Sequence, residues 1–169
     1  TLSSSSAASD VYKRQGVRST LGIDRLKNVL RNIDYLVINE VEIRNLTGES
    51  DPIVAWDAVS TVNPYLILVA KLGERGCMMI GPNRVIKVRV IDLKSLGMKV
   101  VNTVGCGDAF LGVLTASKAE GFDDKEALER ANLAGAIKAT RHETRGSPSK
   151  TELEKYLPFR EHAESTGRI

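Results

Sequence analysis

The chain has 169 residues, 42% of them apolar and 27% charged, which suffices for one domain with a real core. Its net charge of +3 is small and its basic residues are scattered, so nucleic acid is not an expected partner. No apolar run approaches the ~20 residues that cross a bilayer. The two cysteines, Cys77 and Cys106, lie far apart without CxxC spacing, which argues against a disulfide framework or zinc site and makes a reduced, cytoplasmic setting the default expectation.

Thr1–Gln15 (TLSSSSAASDVYKRQ) is rich in serine and alanine, lacks apolar periodicity and has no signal-peptide h-region. It resembles translated adapter sequence and is read as a non-native or disordered tail, the alternative being a plain flexible N-terminus. From Ile23 onward, strand-length apolar runs alternate with helical spacing. Leu26, Val29 and Leu30 place a helix over Asp24–Asn32. Tyr35–Asn39 reads as a buried strand, Glu40–Leu46 as a short helix stopped by Gly48, and Ile53–Val62 as a helix capped by Asp51 with Pro52 in its first turn. Leu66–Lys71 is the second strand. Gly76–Ile80 and Val85–Val90 flank Gly81-Pro82-Asn83, a hairpin signal. Lys99–Val101 reads as a strand end leading into a glycine turn. Helices follow over Ala109–Glu120 and Asp124–Arg141, ended by Gly121 and by Gly146-Ser147-Pro148, with a last short helix at Thr151–Leu157.

This alternation predicts an α/β fold, a mainly parallel sheet flanked by helices, over residues 16–160, with 161–169 as a flexible tail. Ligands of such sheets bind at the carboxyl ends of strands. Asn39, Lys71 and the Gly105 turn each follow a predicted strand end and are expected at one edge. Ala131, Ala134, Gly135 and Ala136 are small enough to let their helix approach a neighbour closely.

The stretch Val101–Gly112, V-N-T-V-G-C-G-D-A-F-L-G, carries the chemistry. Glycines let the backbone turn sharply, and the amides of Gly105, Cys106 and Gly107 can converge at a helix N-terminus, where the dipole favours an anion such as phosphate. Asp108 would repel that anion unless its task is to take a proton from an incoming hydroxyl while the amides hold developing charge. The combination reads as phosphoryl transfer to an alcohol. The plainer reading is a turn with an N-cap.

Asn102–Gly112 resembles the D-T-x-G-A-G-D-x-F-x-x-G motif of the ribokinase-like (PfkB-type) sugar and nucleoside kinases. Asn39-Glu40-Val41-Glu42 is similar to that family's N-x-x-E, and Lys71-Leu72-Gly73-Glu74-Arg75-Gly76 to its (T/K)-L-G-x-x-G loop. Ala131–Ala136, with Thr140-Arg141 and Gly146, is similar to the helix and loop that close over adenine. The resemblance spans about Ile23 to Leu157 and corresponds to the C-terminal half of a member, the C-terminal portion of a Rossmann-like three-layer domain. The chain is therefore expected to be a fragment.

The resemblance implies an ATP-dependent kinase acting on a primary hydroxyl of a sugar, sugar derivative or nucleoside, with Mg2+. Asp108 would be the general base, and Gly105, Cys106 and Gly107 the amide donors to the transferring group. Lys71, Gly73 and Gly76 would line ribose and phosphates, Asn132 the adenine, and Asn39 and Glu42 the phosphate and Mg2+ environment. Three plain alternatives stand beside these: a β-turn for the glycines, a polar helix face for Asn132, and a capped helix start for Asn39 and Glu42. Asn102 stands where ribokinases have an Asp implicated in holding a monovalent cation, which weakens that expectation. Cys106 replaces the usual Ala, as a small apolar stand-in or an oxidisable thiol. His142 and His162 lack metal-ligand spacing and read as surface residues. The half that is missing carries the lid through which members often dimerise, so a homodimer stays open for the complete protein. The alternative function is a catalytically silent nucleotide-binding half-module.

Overall fold

The computed structural model describes residues 22–167, so the Thr1–Gln15 tail lies outside the described residues. Two compact units are present, each with its own apolar cluster.

Of the described residues, the first unit comprises 22–72, 78–86 and 165–167. Its elements are α1 (Ile23–Leu30), β1 (Tyr35–Asn39), α2 (Glu40–Thr47), α3 (Pro52–Ser60) and β2 (Ile67–Lys71), followed by most of β3 (Cys77–Ile80), β4 (Arg84–Val88) and β5 (Glu164–Gly167), whose residues Cys77, Lys87, Val88 and Glu164 fall in the second unit. The strands form a five-stranded sheet in the order β1-β2-β3-β4-β5. β1 and β2 run parallel, in register from Tyr35↔Ile67 to Asn39↔Lys71. A parallel pair needs a crossover, and α2 and α3 supply it. Leu36, Val37 and Ile38 are buried, as are Leu68, Val69 and Ala70, so both faces of this parallel pair are shielded from water.

Local chemistry sets the ends of these elements. Gly48 ends α2 with φ +81°, and the Asp51 carboxylate accepts from the Ile53 amide at 2.8 Å, with Pro52 opening α3. The Trp56 indole is buried and donates to the Leu66 carbonyl at 2.9 Å. Asn63 donates to the carbonyls of Leu30 and Ile33, each at 3.0 Å, tying the end of α1 to the approach to β2. The Gly81 amide donates to the Arg84 carbonyl at 3.0 Å, closing the predicted β3–β4 hairpin. The sheet is therefore mixed, parallel where helices intervene and turned back at the hairpin. Residues 164–167, expected as part of a tail, form the exposed edge strand β5.

The second unit comprises residues 73–77 and 87–164. Its helices are α4 (Cys106–Ala119), α5 (Asp124–Ala139) and α6 (Lys150–Tyr156). α4 and α5 pack along each other. Ala131 and Ala134 are fully buried, and a Cβ on Gly135 would stand 3.4 Å from the Cys106 carbonyl, so the small residues do permit the expected close approach. Asp123 caps α5, and Lys118 pairs with the buried Asp124 at 2.7 Å. Glu129, also buried, is held by Arg160 at 2.7 Å. Among the described residues no helix is long and apolar enough to cross a membrane.

Two boundaries differ from the sequence reading. Lys99–Val101 is not a strand: the Val101 and Asn102 amides donate to the Ala139 carbonyl at 2.7 and 3.1 Å, supplying partners to a helix end that would otherwise lack them. The glycine turn thus follows an irregular segment rather than a strand's carboxyl end. The next helix begins at Cys106, three residues before the predicted Ala109.

Candidate functional site

Gly105 is the N-cap of α4 in the left-handed conformation, φ +84°, with no side chain capping the helix. A Cβ there would lie 2.7 Å from the Thr144 carbonyl oxygen and 3.4 Å from Cε of Lys138, so glycine is required both by φ and by space. Cys106, Gly107 and Asp108 form the first helical turn. The Cys106 amide donates to the Thr103 carbonyl at 3.2 Å and closes the turn. The amides of Gly107 and Asp108 remain as the orphan donors that every helix start presents.

Asp108 is the third helical residue, not the cap, and it is exposed. Among the described residues its carboxylate forms no hydrogen bond or ion pair, so neither capping nor pairing accounts for it.

The loop after α5 is held against this turn. Asn102 donates to the His142 carbonyl at 3.0 Å while its own oxygen accepts from the Val104 amide at 3.0 Å. Arg141 donates to the carbonyls of Gly146 and Ser147 at 2.8 and 3.1 Å and pairs with Glu152. His142 and His162 are exposed, as expected. The half-buried Cys106 thiol has its pKa pushed up by burial, partly opposed by the nearby Lys138 charge, which keeps it a neutral thiol. The fully buried Cys77 is pushed up further by burial.

Lys138 escapes the sequence reading. It is fully buried on α5, and its Nζ has no hydrogen-bond partner among the described residues. The signal available was a single charge within the run Ala134-Gly135-Ala136-Ile137-Lys138-Ala139, where every other residue is small or apolar.

The remaining predicted residues fall into two groups. In the first unit Asn39 and Lys71 are register partners at the carboxyl ends of β1 and β2. Asn39 and Glu42 form a capping box: the Glu42 amide donates to Asn39 Oδ1 at 2.9 Å, and the Asn39 amide to Glu42 Oε2 at 2.8 Å. In the second unit Gly73–Arg75 make one 3-10 turn, with Gly73 at φ +58° in open space. Gly76 is buried at φ +84°, where a Cβ would stand 2.0 Å from the Val88 carbonyl oxygen. Asn132, only 8% exposed, donates to the Arg89 carbonyl at 2.7 Å. Gly76 and Asn132 are thus brought together on the Val88–Arg89 backbone. No group of three or more His, Cys, Asp or Glu among the described residues could hold a metal ion.

The profile of the pfkB family carbohydrate kinases matches residues 5–151. Deoxyribokinase from Salmonella typhi is 27% identical over 135 residues, covering 76% of this chain and 42% of the relative. Fructokinase-2 from Solanum lycopersicum is 32% identical over 106 residues, covering 62% of this chain and 30% of the relative. The structure of Arabidopsis thaliana ribokinase complexed with ribose and ATP is similar at a TM-score of 0.69 and 26% identity, over 79% of this chain and 43% of that one. An Escherichia coli ribokinase II candidate, solved with ATP and Mg2+, gives a TM-score of 0.69 at 27% identity, over 80% and 42% of the two chains. The chain therefore spans less than half the length of these relatives. The matched span, 147 of the 169 residues, takes in the capping-box pair, the left-handed Gly105 turn and the loop that Arg141 braces, and on this ground the chain belongs to the pfkB family of carbohydrate kinases.

Proposed function

We propose that the protein transfers the γ-phosphate of ATP to a primary hydroxyl of a sugar, sugar derivative or nucleoside. The observation that carries this reading is the Gly105 turn opening α4 with Asp108 exposed in its first helical turn, its carboxylate forming no hydrogen bond or ion pair among the described residues. The Asp108 carboxylate takes the hydroxyl proton as the acceptor oxygen bonds to the γ-phosphorus. The bond from that phosphorus to the bridging oxygen breaks, and ADP leaves with the oxygen. The amides of Gly107 and Asp108, at the positive end of α4, stabilise the charge that develops. Relatives named deoxyribokinase and fructokinase, and similar structures holding ATP, Mg2+ or ribose, support the reading.

Lys71, Gly73, Gly76 and Asn132 serve the nucleotide end, the last two by fixing the Val88–Arg89 backbone. Asn39 and Glu42 serve the phosphate and Mg2+ environment through the Glu42 oxygen that capping leaves over. With no carboxylate cluster among the described residues, Mg2+ would be held mainly by the nucleotide phosphates and water. Asn102 offers no carboxylate and spends its amide on the loop, which weakens the case for a monovalent cation there.

One observation favours a second reading. The chain covers 42% of the deoxyribokinase it matches, and a base without a positioned acceptor loses most of its rate advantage. On that reading the chain is a catalytically silent nucleotide-binding half-module. Incubating it with ATP, Mg2+ and a panel of sugars and nucleosides, with products read by mass spectrometry, separates the two. Phosphorylated product supports the kinase, ATP binding without product supports the half-module, and absence of both contradicts each.

A further inference from the structure

Lys138 lies in the last turn of α5, fully buried, between Ile137 and Ala139, which are buried as well. An ammonium removed from water is costly unless something compensates it, and its Nζ has no partner among the described residues. The side chain ends beneath the glycine turn, where its Cε is 3.4 Å from the position a Gly105 Cβ would take, and its charge is felt by the Cys106 thiol. The positive end of the α4 dipole gathers at the same place. Two positive features enclosed together repel each other unless they share an anion. The carboxylate nearest in sequence to the turn, Asp108, is exposed and faces solvent instead of compensating Lys138.

We propose that Lys138 is the resident cation of the glycine turn. Its ammonium charges the free amides of Gly107 and Asp108 from beneath, so that the site takes a dianion of the phosphate class and holds a transferring phosphoryl group more tightly than amides alone. Lys138 is a positioning residue in this role, acting through the turn. The inference rests on the kinase reading of that turn and names what makes its anion site strong.

The test is titration of inorganic phosphate into the 169-residue chain, followed by 31P NMR at a pH where phosphate is a dianion, with thermal unfolding measured in parallel. Lys138→Met keeps the apolar stem and removes the charge, and Lys138→Arg keeps the charge. The expected result is at least tenfold weaker phosphate binding by Lys138→Met, which unfolds at the same or a higher temperature because no unpaired charge is buried. Lys138→Arg should bind within about threefold of the parent chain. If Lys138→Met binds phosphate as the parent does, the inference is overturned while the kinase reading stands. A Lys138→Met chain that fails to fold, or melts well below the parent, also overturns it, since the ammonium then has a structural partner. If the parent chain binds no phosphate, the anion-site reading itself fails and takes the inference with it.

Discussion

Glu42 gives one carboxylate oxygen to the Asn39 amide, 2.8 Å away, and its own amide donates to the Asn39 side chain, so the pair is scaffold as well as candidate chemistry. Two substitutions separate those jobs. Asn39→Ala removes the cap and should cost about 1 kcal/mol of stability by urea unfolding. Glu42→Gln preserves the reciprocal cap, because glutamine serves at that position, but removes the charge. It should therefore unfold like the parent while needing several-fold more Mg2+ for half-maximal ATP binding. An unchanged Mg2+ dependence would remove Glu42 from the phosphate environment. The capping box was legible in the N-x-x-E spacing. The task of Asn132 was not, because the carbonyl that receives its amide, Arg89, is 43 residues distant and no local pattern announces it. Lys138 was passed over because a lysine on a helix is ordinarily solvated, and only its small and apolar neighbours in the run 134–139 hinted at the full burial found here.

At the level of turns and helices, the glycines at 73, 76 and 105 share positive φ but differ in surroundings, and this ranks their replacement by alanine. Gly73→Ala meets open space and bears only the left-handed penalty, about 1 kcal/mol. Gly105→Ala adds a contact of 2.7 Å with the Thr144 carbonyl and should cost about 3 kcal/mol. Gly76→Ala, 2.0 Å from the Val88 carbonyl, should cost the most, roughly 4 kcal/mol or the fold itself. Urea denaturation of the three variants checks the order, and an equal cost for all three would refute the packing described around Gly76 and Gly105. The sequence located all three turns and most helices. It began α4 too late because glycine is a poor helix former, whereas here a left-handed Gly105 lets the helix start at once. It made a strand end of Lys99–Val101 because apolar residues stand there, but the acceptor of the Val101 amide is Ala139, the last residue of α5. Caps such as Asp51 and Asp123 were or could be read directly, since their partners lie two or three residues away.

For the whole molecule, strand–helix alternation was enough to give an α/β fold, and four short motifs gave the family that the profile match establishes. The division into two units, each with its own apolar cluster, is a matter of long-range packing that alternation does not encode. Nor does the chain specify its acceptor, since it covers 42% of the deoxyribokinase and 30% of the fructokinase it matches. What it does specify is a left-handed glycine turn, a helix start behind it, and an exposed carboxylate on that start that forms no hydrogen bond or ion pair among the described residues. This carboxylate is the proposed base of phosphoryl transfer. The measurement that bears on it most directly is kcat, beside ATP affinity, for Asp108→Asn in the protein as its gene encodes it, with an acceptor found by screening. If Asp108 is the base, kcat falls by about a thousandfold while ATP affinity stays within about threefold. Turnover retained at the parent's rate would contradict that role.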